Sequence, residues 1–167
     1  MVYLSPHPSR AAIAGHPIHP ALVPIPIGLL TASLASDLAY VATGDRFWAR
    51  ASKWLTGAGL GTAAVAAPFG SIDFWSIPPA RRGVAGWIHL GGNVTVLGLA
   101  AASLALRVRS EERAVMPAGL ALSATIAGLL AVTGWMGGEL IIRKGVAVVG
   151  EPASVEQVDV HRSVVGG

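Results

Sequence analysis

The sequence has no cysteine among its 167 residues, and charged residues make up only 13% of it. The absence of cysteine excludes disulfides, thiolate metal sites and iron–sulfur ligation within the chain. An ordinary soluble domain carries about 25% charged residues, so the low charge is not typical of a water-soluble protein. Any metal ion bound by this chain must therefore be held by histidine, carboxylate or backbone groups.

In place of charge, the sequence has long apolar runs, and hydrophobic residues make up 53% of it. A run of roughly 18 or more such residues with few charges is typical of a membrane-spanning helix. Four runs reach that length, at about residues 20–43, 51–77, 84–106 and 115–142. The short charged loops between them predict an all-α, up-down bundle of four transmembrane helices in a lipid bilayer. This membrane domain covers residues 1–147, and residues 148–167 are predicted to be a flexible tail.

Charge placement argues against some partners and gives an orientation. The net charge of +3 does not form a basic stripe, because the arginines flank the apolar runs, so no nucleic-acid partner is expected. The N-terminus has no cationic segment followed by an apolar one, so no cleavable signal peptide is expected. The loops 44–50 and 107–114 are short and basic, which favours a cytoplasmic position for them and places both termini outside.

Ionisable residues inside apolar runs are costly, about 2.5 to 3.5 kcal/mol for Asp at a helix centre, and they normally face the bundle interior or a cavity. Polar residues inside the runs include Asp37, Asp73, His89, Asn93 and Glu139. Alternating topology brings the start of the first and third runs and the end of the second and fourth to one membrane face, called face one. It predicts a shared polar layer there, formed by His16, His19, Asp73, His89 and Glu139. Asp37 lies near the opposite face, called face two, and is expected to contact Thr43 or a loop arginine.

Two His-Pro pairs, beginning at His16 and His19, precede the first apolar run, and two further prolines follow within it. A residue before proline is disfavoured in the helical region, so both histidines are predicted to be extended or capping. Irregular backbone at membrane depth is tolerated where it is buried in protein or lines a cavity. The sequence therefore predicts a proline-broken segment that folds over the mouth of the bundle and brings its imidazoles toward His89.

Imidazole binds both haem and metal ions, and the cores of helix bundles often hold such cofactors. We therefore expect haem b or a metal ion on face one, bound by His89 and by either His16 or His19. The groups expected to orient these imidazoles or to relay protons are Asp73, Asn93 and Glu139.

A plainer interpretation of the same residues stays open. The histidines would then only cap helices and bond neighbouring helices. Asp73 or Glu139 would pair with one of the cations at the same face, which are Arg81, Arg82, Arg143 and Lys144. His7 and His161 lie in polar termini that are expected to be mobile.

Several motifs resemble a bacterial four-helix membrane family of unknown function. They are HPIHP at residues 16–20, Asp37, His89, and GGEL at residues 137–140 with Arg143 and Gly145. The resemblance covers about residues 15–148 and implies a four-helix fold in the bacterial inner membrane. Some relatives carry a fused Rieske or cytochrome-like domain, which favours an electron-transfer setting by analogy. That family usually ends the segment after GGEL with Arg-His-Gly, whereas Lys144 stands between Arg143 and Gly145 here and removes a fourth imidazole.

These observations predict an integral membrane subunit of a respiratory or redox system that works with a redox partner protein. Whether it catalyses a reaction stays open. Two alternatives also stay open. One is a proton-coupled transport module, for which four spans without an internal repeat would have to oligomerise. The other is a structural or assembly subunit without a cofactor.

Overall fold

Four long helical stretches run up and down in the computed structural model, which describes residues 6–149. A two-stranded antiparallel sheet comes first, formed by β1 (Ala12–Ile13) and β2 (His16–Pro17). The helices follow in the order α1 (Ile18–Leu22), α2 (Pro24–Thr43), α3 (Arg46–Ser76), α4 (Pro78–Arg81), α5 (Val84–Arg109), α6 (Glu111–Ala114) and α7 (Leu120–Ile142), with a kink at Val115–Gly119 before α7, where the backbone of Met116 is extended. The predicted all-α four-helix bundle is confirmed. The predicted tail lies outside the described residues apart from 148 and 149, as does His161.

Each helical stretch is long and apolar enough to cross a membrane. The four are span one (Ile18–Thr43), span two (Arg46–Ser76), span three (Val84–Arg109) and span four (Glu111–Ile142). A stretch of 26 residues, the shortest of these, extends about 39 Å at a rise of about 1.5 Å per residue, more than the ~30 Å of bilayer hydrocarbon. Face one is the side on which span one begins, and face two is the side on which it ends.

Span one is broken near its start, as the prolines predict. Val23 separates α1 from α2, and Pro24 takes the first position of α2. Proline is tolerated there because its missing N–H would have no helical partner at that position. Pro26, two residues further on, also lacks an N–H, so the regular helical hydrogen bonds resume only at Ile27, whose N–H donates to the carbonyl of Val23 at 3.3 Å. The break therefore separates the short helix that carries His19 from the rest of the span.

The other three spans extend beyond the apolar runs of the sequence. Span two begins at Arg46 because Asp45 caps it: Oδ1 of Asp45 accepts a hydrogen bond of 2.8 Å from the backbone N–H of Phe47. Span three continues to Arg109, and span four begins at Glu111. The sequence predicts that the charged residues at these ends lie in loops, but in the structure they belong to helical turns at the ends of the spans.

Two apolar clusters pack the bundle at different depths. The cluster in the middle of the membrane contains Leu30, Val96, Ala100, Ile126 and Leu130. The cluster at face one contains Phe74, Ile77, Ala80, Leu140 and Val146. Burial of these side chains joins all four spans, while the outer faces of the helices expose large apolar side chains of the kind that lipid covers.

The N-terminal segment crosses face one instead of extending from it. The backbone N–H of His7 donates a hydrogen bond of 2.9 Å to the carbonyl of Gly145, and His7 forms a parallel bridge with Val146. The mobile terminus expected around His7 is therefore not what the structure contains. Backbone hydrogen bonds tie this segment to the chain that follows span four.

Candidate functional site

His19 and His89 meet at face one. Their ring centroids lie 6.2 Å apart, and the ring planes are nearly perpendicular at 88°. His19 lies in α1, just before the proline break, and His89 lies in the second turn of α5. The topology of the spans thus brings together two imidazoles that are 70 positions apart in the sequence.

A backbone carbonyl of a neighbouring span holds each of these imidazoles. Nδ1 of His19 lies 3.0 Å from the carbonyl oxygen of Ala66 in span two. Nδ1 of His89 lies 2.8 Å from the carbonyl oxygen of Thr133 in span four. Because a carbonyl oxygen can only accept, each Nδ1 must carry the proton, and in a neutral ring Nε2 then keeps its lone pair. A hydrogen bond of this kind also orients the histidines that bind metals in proteins.

Glycines make room for both rings. A Cβ built on Gly70 would lie 2.7 Å from Cε1 and 2.8 Å from Nδ1 of His19. A Cβ built on Gly137 would lie 3.0 Å from Cε1 of His89. Real Cβ atoms essentially never come as close as at Gly70, and the contact at Gly137 would be tighter than most, so both imidazole positions depend on the absence of a side chain at these glycines. The sequence contains these glycines, but only the fold shows that they face histidines.

The two histidines line a cavity of about 320 Å³. Its walls are mostly apolar and come from all four spans, for example Ile27, Phe74, Leu97 and Ile141. The other polar side chains that line it are Ser71, Asp73 and Asn93. Nδ2 of Asn93 donates a hydrogen bond of 2.7 Å to the carbonyl of His89, which leaves its Oδ1 available to the cavity. The volume falls at the lower end of the range of about 300 to 1,000 Å³ typical of small-molecule sites.

Asp73 lies at this cavity, but its partners differ from the predicted ones. Oγ of Ser9 lies 2.8 Å and 2.7 Å from the two carboxylate oxygens, and the backbone N–H of Arg10 donates to Oδ1 at 2.9 Å. The plainer interpretation offered a cation of face one to Asp73 or to Glu139, and Asp73 is not the residue that has this partner. The N-terminal segment supplies neutral donors to this buried carboxylate instead.

Two residues of the predicted polar layer lie away from the cavity. His16 is exposed, and its Nδ1 bonds to the carbonyl of Ala14 at 3.0 Å. Glu139 is half-buried and pairs with Arg143 at 3.4 Å, one of the cations that the sequence offered. Of the predicted layer, the structure therefore brings together His19, Asp73 and His89, and Asn93 joins them.

A second polar cluster lies near face two and is fully buried. Asp37 and Arg107 form a bidentate ion pair, with Nη1 to Oδ1 at 2.8 Å and Nη2 to Oδ2 at 2.6 Å, and both side chains have 0% exposure. Serines from spans two, three and four complete the hydrogen bonds, namely Ser52, Ser103 and Ser123. The prediction of an arginine partner for Asp37 is confirmed, whereas a contact with Thr43 is not found.

The sequence prediction missed Arg107 as a buried residue because the apolar run ends at Leu106. A signal was available, since a buried aspartate needs a cation at the same depth, and Arg107 ends span three at face two. Within residues 6–149, no buried side-chain nitrogen or oxygen lacks a hydrogen-bond partner. The ion pair and its serines therefore connect four spans through hydrogen bonds, and none of their buried polar atoms is left without a partner to bind a ligand.

Four membrane-crossing helices make the chain an integral, multi-pass membrane protein. Residues 15–150 match the model of the family described as "Predicted membrane protein (DUF2231)". The match covers most of the chain, which therefore belongs to this family. No curated protein and no solved structure matches the chain.

Proposed function

We propose that this protein is the membrane subunit of a redox system and that Nε2 of His19 and Nε2 of His89 bind the metal of haem b, or a metal ion. The observation that carries the proposal is the pair of Nδ1 hydrogen bonds to the carbonyls of Ala66 and Thr133. These bonds fix the tautomer in which Nδ1 carries the proton and Nε2 carries a basic lone pair, in two rings that line the same cavity. Imidazole in this form is the commonest metal ligand in proteins.

Two features favour haem b over a bare ion. Haem would bring four nitrogen ligands of its own, so His19 and His89 would be enough to hold it, whereas bare metal sites generally need three or four protein ligands. The imidazoles of His19 and His89, whose ring centroids are 6.2 Å apart, would hold the iron between them. The apolar walls of the cavity also suit the faces of a porphyrin.

The remaining polar groups would tune such a centre. The amide oxygen of Asn93 would meet a polar group of the ligand, and Asp73 would act through the N-terminal segment that it holds. Glu139 and His16, which lie away from the cavity, would have no direct part in binding. Polar groups around a metal ligand commonly set its potential and its basicity.

The proposal extends to location and partners. We expect the protein in a bacterial inner membrane with both termini outside, because the loops at face two are short and basic. The redox partner protein would then meet face one, and the chain would work alone or as a homo-oligomer. A C-terminal fusion to a reporter that is active only in the cytoplasm should remain inactive, and an active reporter would reverse the orientation.

The experiment is a visible spectrum and a metal assay on protein purified in detergent, before and after incubation with haem b. A Soret band with about one haem per chain supports the haem site, and stoichiometric metal without that band supports a bare ion. We expect the signal to disappear in His19→Ala and His89→Ala. His16→Asn is the control, since this residue also precedes proline but lies outside the cavity, and Asn keeps a donor for the carbonyl of Ala14 in the hairpin; the haem or metal signal of this variant should stay at the wild-type level. Wild-type protein with neither haem nor metal would overturn the proposal.

A further inference from the structure

The N-terminal strap, defined as residues 6–17, continues directly into the helix that carries His19. Its first attachment is the hydrogen bond from His7 to Gly145, after span four. Its second attachment is Ser9, which donates to the carboxylate of Asp73 at the end of span two. Both attachment regions also line the histidine cavity: Val146 and Ala147 line it at the first region, and Asp73 lines it at the second. The strap is therefore fixed to the wall of the cavity on the side of face one.

The attachment at Asp73 is the stronger of the two by chemistry. The carboxylate is only 5% exposed and accepts hydrogen bonds from the hydroxyl of Ser9 and from the backbone N–H of Arg10. The same hydroxyl accepts a hydrogen bond of 3.0 Å from the backbone N–H of Ala11. Hydrogen bonds to an ionised group are stronger than neutral ones, and a buried carboxylate that loses them is costly. We call this set of hydrogen bonds the Ser9–Asp73 latch.

From the latch, hydrogen bonds lead directly to the turn that contains His19. Ala11 is buried, and its carbonyl accepts a hydrogen bond of 2.9 Å from the backbone N–H of Ile18, the residue before His19. Between them, β1 and β2 pair Ala12 with Pro17 and close a hairpin. A hairpin closed at both ends moves as a unit, so a displacement of Ala11 also displaces the start of α1.

We propose that Ser9 and Asp73 are positioning residues for His19. The latch holds the hairpin, the hairpin holds the first turn of α1, and that turn sets the position of the His19 imidazole relative to His89. The identity of the ligand rests on the proposed function, but the latch and its effect on the strap do not. Ligand binding and strap closure then stabilise each other, because both require the same position of His19.

Trypsin cleavage after Arg10 measures how often the strap opens. The side chain of Arg10 is exposed, but its backbone N–H is bound to Asp73 and the next residue is buried, so cleavage requires local opening. When reclosing is faster than cleavage, the cleavage rate follows the population of the open form. Intact-mass spectrometry of the detergent-solubilised protein gives this rate directly, and cleavage after Arg82, in an exposed turn that the latch does not contact, is the internal reference.

We expect Ser9→Ala to raise the cleavage rate after Arg10 by at least tenfold relative to the reference site. Ser9→Thr keeps the hydroxyl and should cleave within about threefold of wild type, which makes it the matched control. Asp73→Asn keeps an acceptor oxygen but loses the charge, so its rate should lie between those of wild type and Ser9→Ala. Cleavage of Ser9→Ala at the wild-type rate would overturn the latch, even if Asp73→Asn fails to fold.

The effect on the site is measured separately, as the affinity for added haem b or metal ion. Ser9→Ala should bind the ligand that wild type binds with at least fivefold lower affinity, and Ser9→Thr should restore it. Faster cleavage with unchanged affinity would overturn the positioning role. If wild type and all variants bind neither haem nor metal, the proposed function fails, while the trypsin result still decides whether the latch exists.

Discussion

Arg107 and Asp37 show how much a single buried pair depends on its surroundings. Removing two charges from water is expensive, and their attraction compensates only when the geometry is good and the remaining hydrogen bonds are made. Here the guanidinium meets the carboxylate through two parallel hydrogen bonds, and serines take the other donors and acceptors. The pair is consequently far more sensitive to the loss of one partner than an exposed pair is.

We expect Asp37→Ala to lower the free energy of unfolding by roughly 3 to 5 kcal/mol, because it leaves the buried Arg107 without a counter-ion. Glu112→Gln is the control, since Glu112 pairs with the exposed Arg46 at face two, and such a pair contributes about 1 kcal/mol or less. Denaturant or thermal unfolding of both variants in the same detergent gives the comparison. Equal losses of unfolding free energy in the two variants would show that the buried ion pair stabilises the protein no more than the exposed one does.

Gly70 offers a second test at a single residue. Gly70→Ala should displace the His19 ring, because the new methyl group would lie 2.7 Å from Cε1 of the imidazole. We expect at least tenfold weaker binding of haem b or metal ion. Gly61→Ala lies on the same helix, where an added Cβ meets no atom within 4 Å, and should bind as wild type does. Unchanged binding by Gly70→Ala would mean that the position of His19 is not critical.

At the scale of the helices, the sequence predicted the elements well and their contacts less well. Apolar runs longer than the bilayer is thick leave little choice of structure, so all four spans and the break at Pro24 could be predicted. The position of His89 followed from counting residues from face one. The strap could not be predicted in this way, because Ser9 and Arg10 bind Asp73 through hydrogen bonds that have no periodic pattern in the sequence. The choice of His19 over His16 likewise depended on how the hairpin turns.

The short helix α6 gives a prediction at this scale. Glu111 meets Lys53 and lies 3.5 Å from Nε of Arg50, so it ties the start of span four to the start of span two. We expect Glu111→Gln to lower the melting temperature slightly at low ionic strength. The difference should shrink toward 1 M salt, where the Debye length is about 3 Å. A difference in melting temperature that does not depend on salt would contradict an electrostatic contribution of Glu111.

Across the whole molecule, the two polar clusters lie at opposite ends and an apolar layer separates them. The histidine cavity lies at face one and the ion pair of Asp37 with Arg107 lies near face two. Between them is the cluster of Leu30, Val96, Ala100, Ile126 and Leu130. Within the described residues of a single chain, the polar side chains of the histidine cavity therefore lie on the face-one side of this apolar cluster.

We expect proteoliposomes of the wild-type protein to collapse an imposed pH gradient no more than about twofold faster than empty liposomes, because the packed apolar side chains separate the histidine cavity from the buried hydroxyls of Ser33 and Thr56 and from the ion pair. A pH-sensitive dye inside the vesicles measures the rate. A clearly faster collapse that disappears in His89→Ala would favour the proton-coupled transport alternative. One that persists in His89→Ala would point to a pathway elsewhere, for instance between chains.

The ion pair also bears on how the protein is made. Asp37 belongs to the first span and Arg107 to the third, so the aspartate is inserted before its partner has been synthesised. Until then its carboxylate must remain hydrated at the membrane surface or be sheltered by the insertion machinery, since a bare charge in lipid is unfavourable. A ribosome-bound chain that ends after span two should therefore be extracted from the bilayer more easily than one that extends past Arg107. Insertion of the third span would then be the step that makes the first span stable in the membrane.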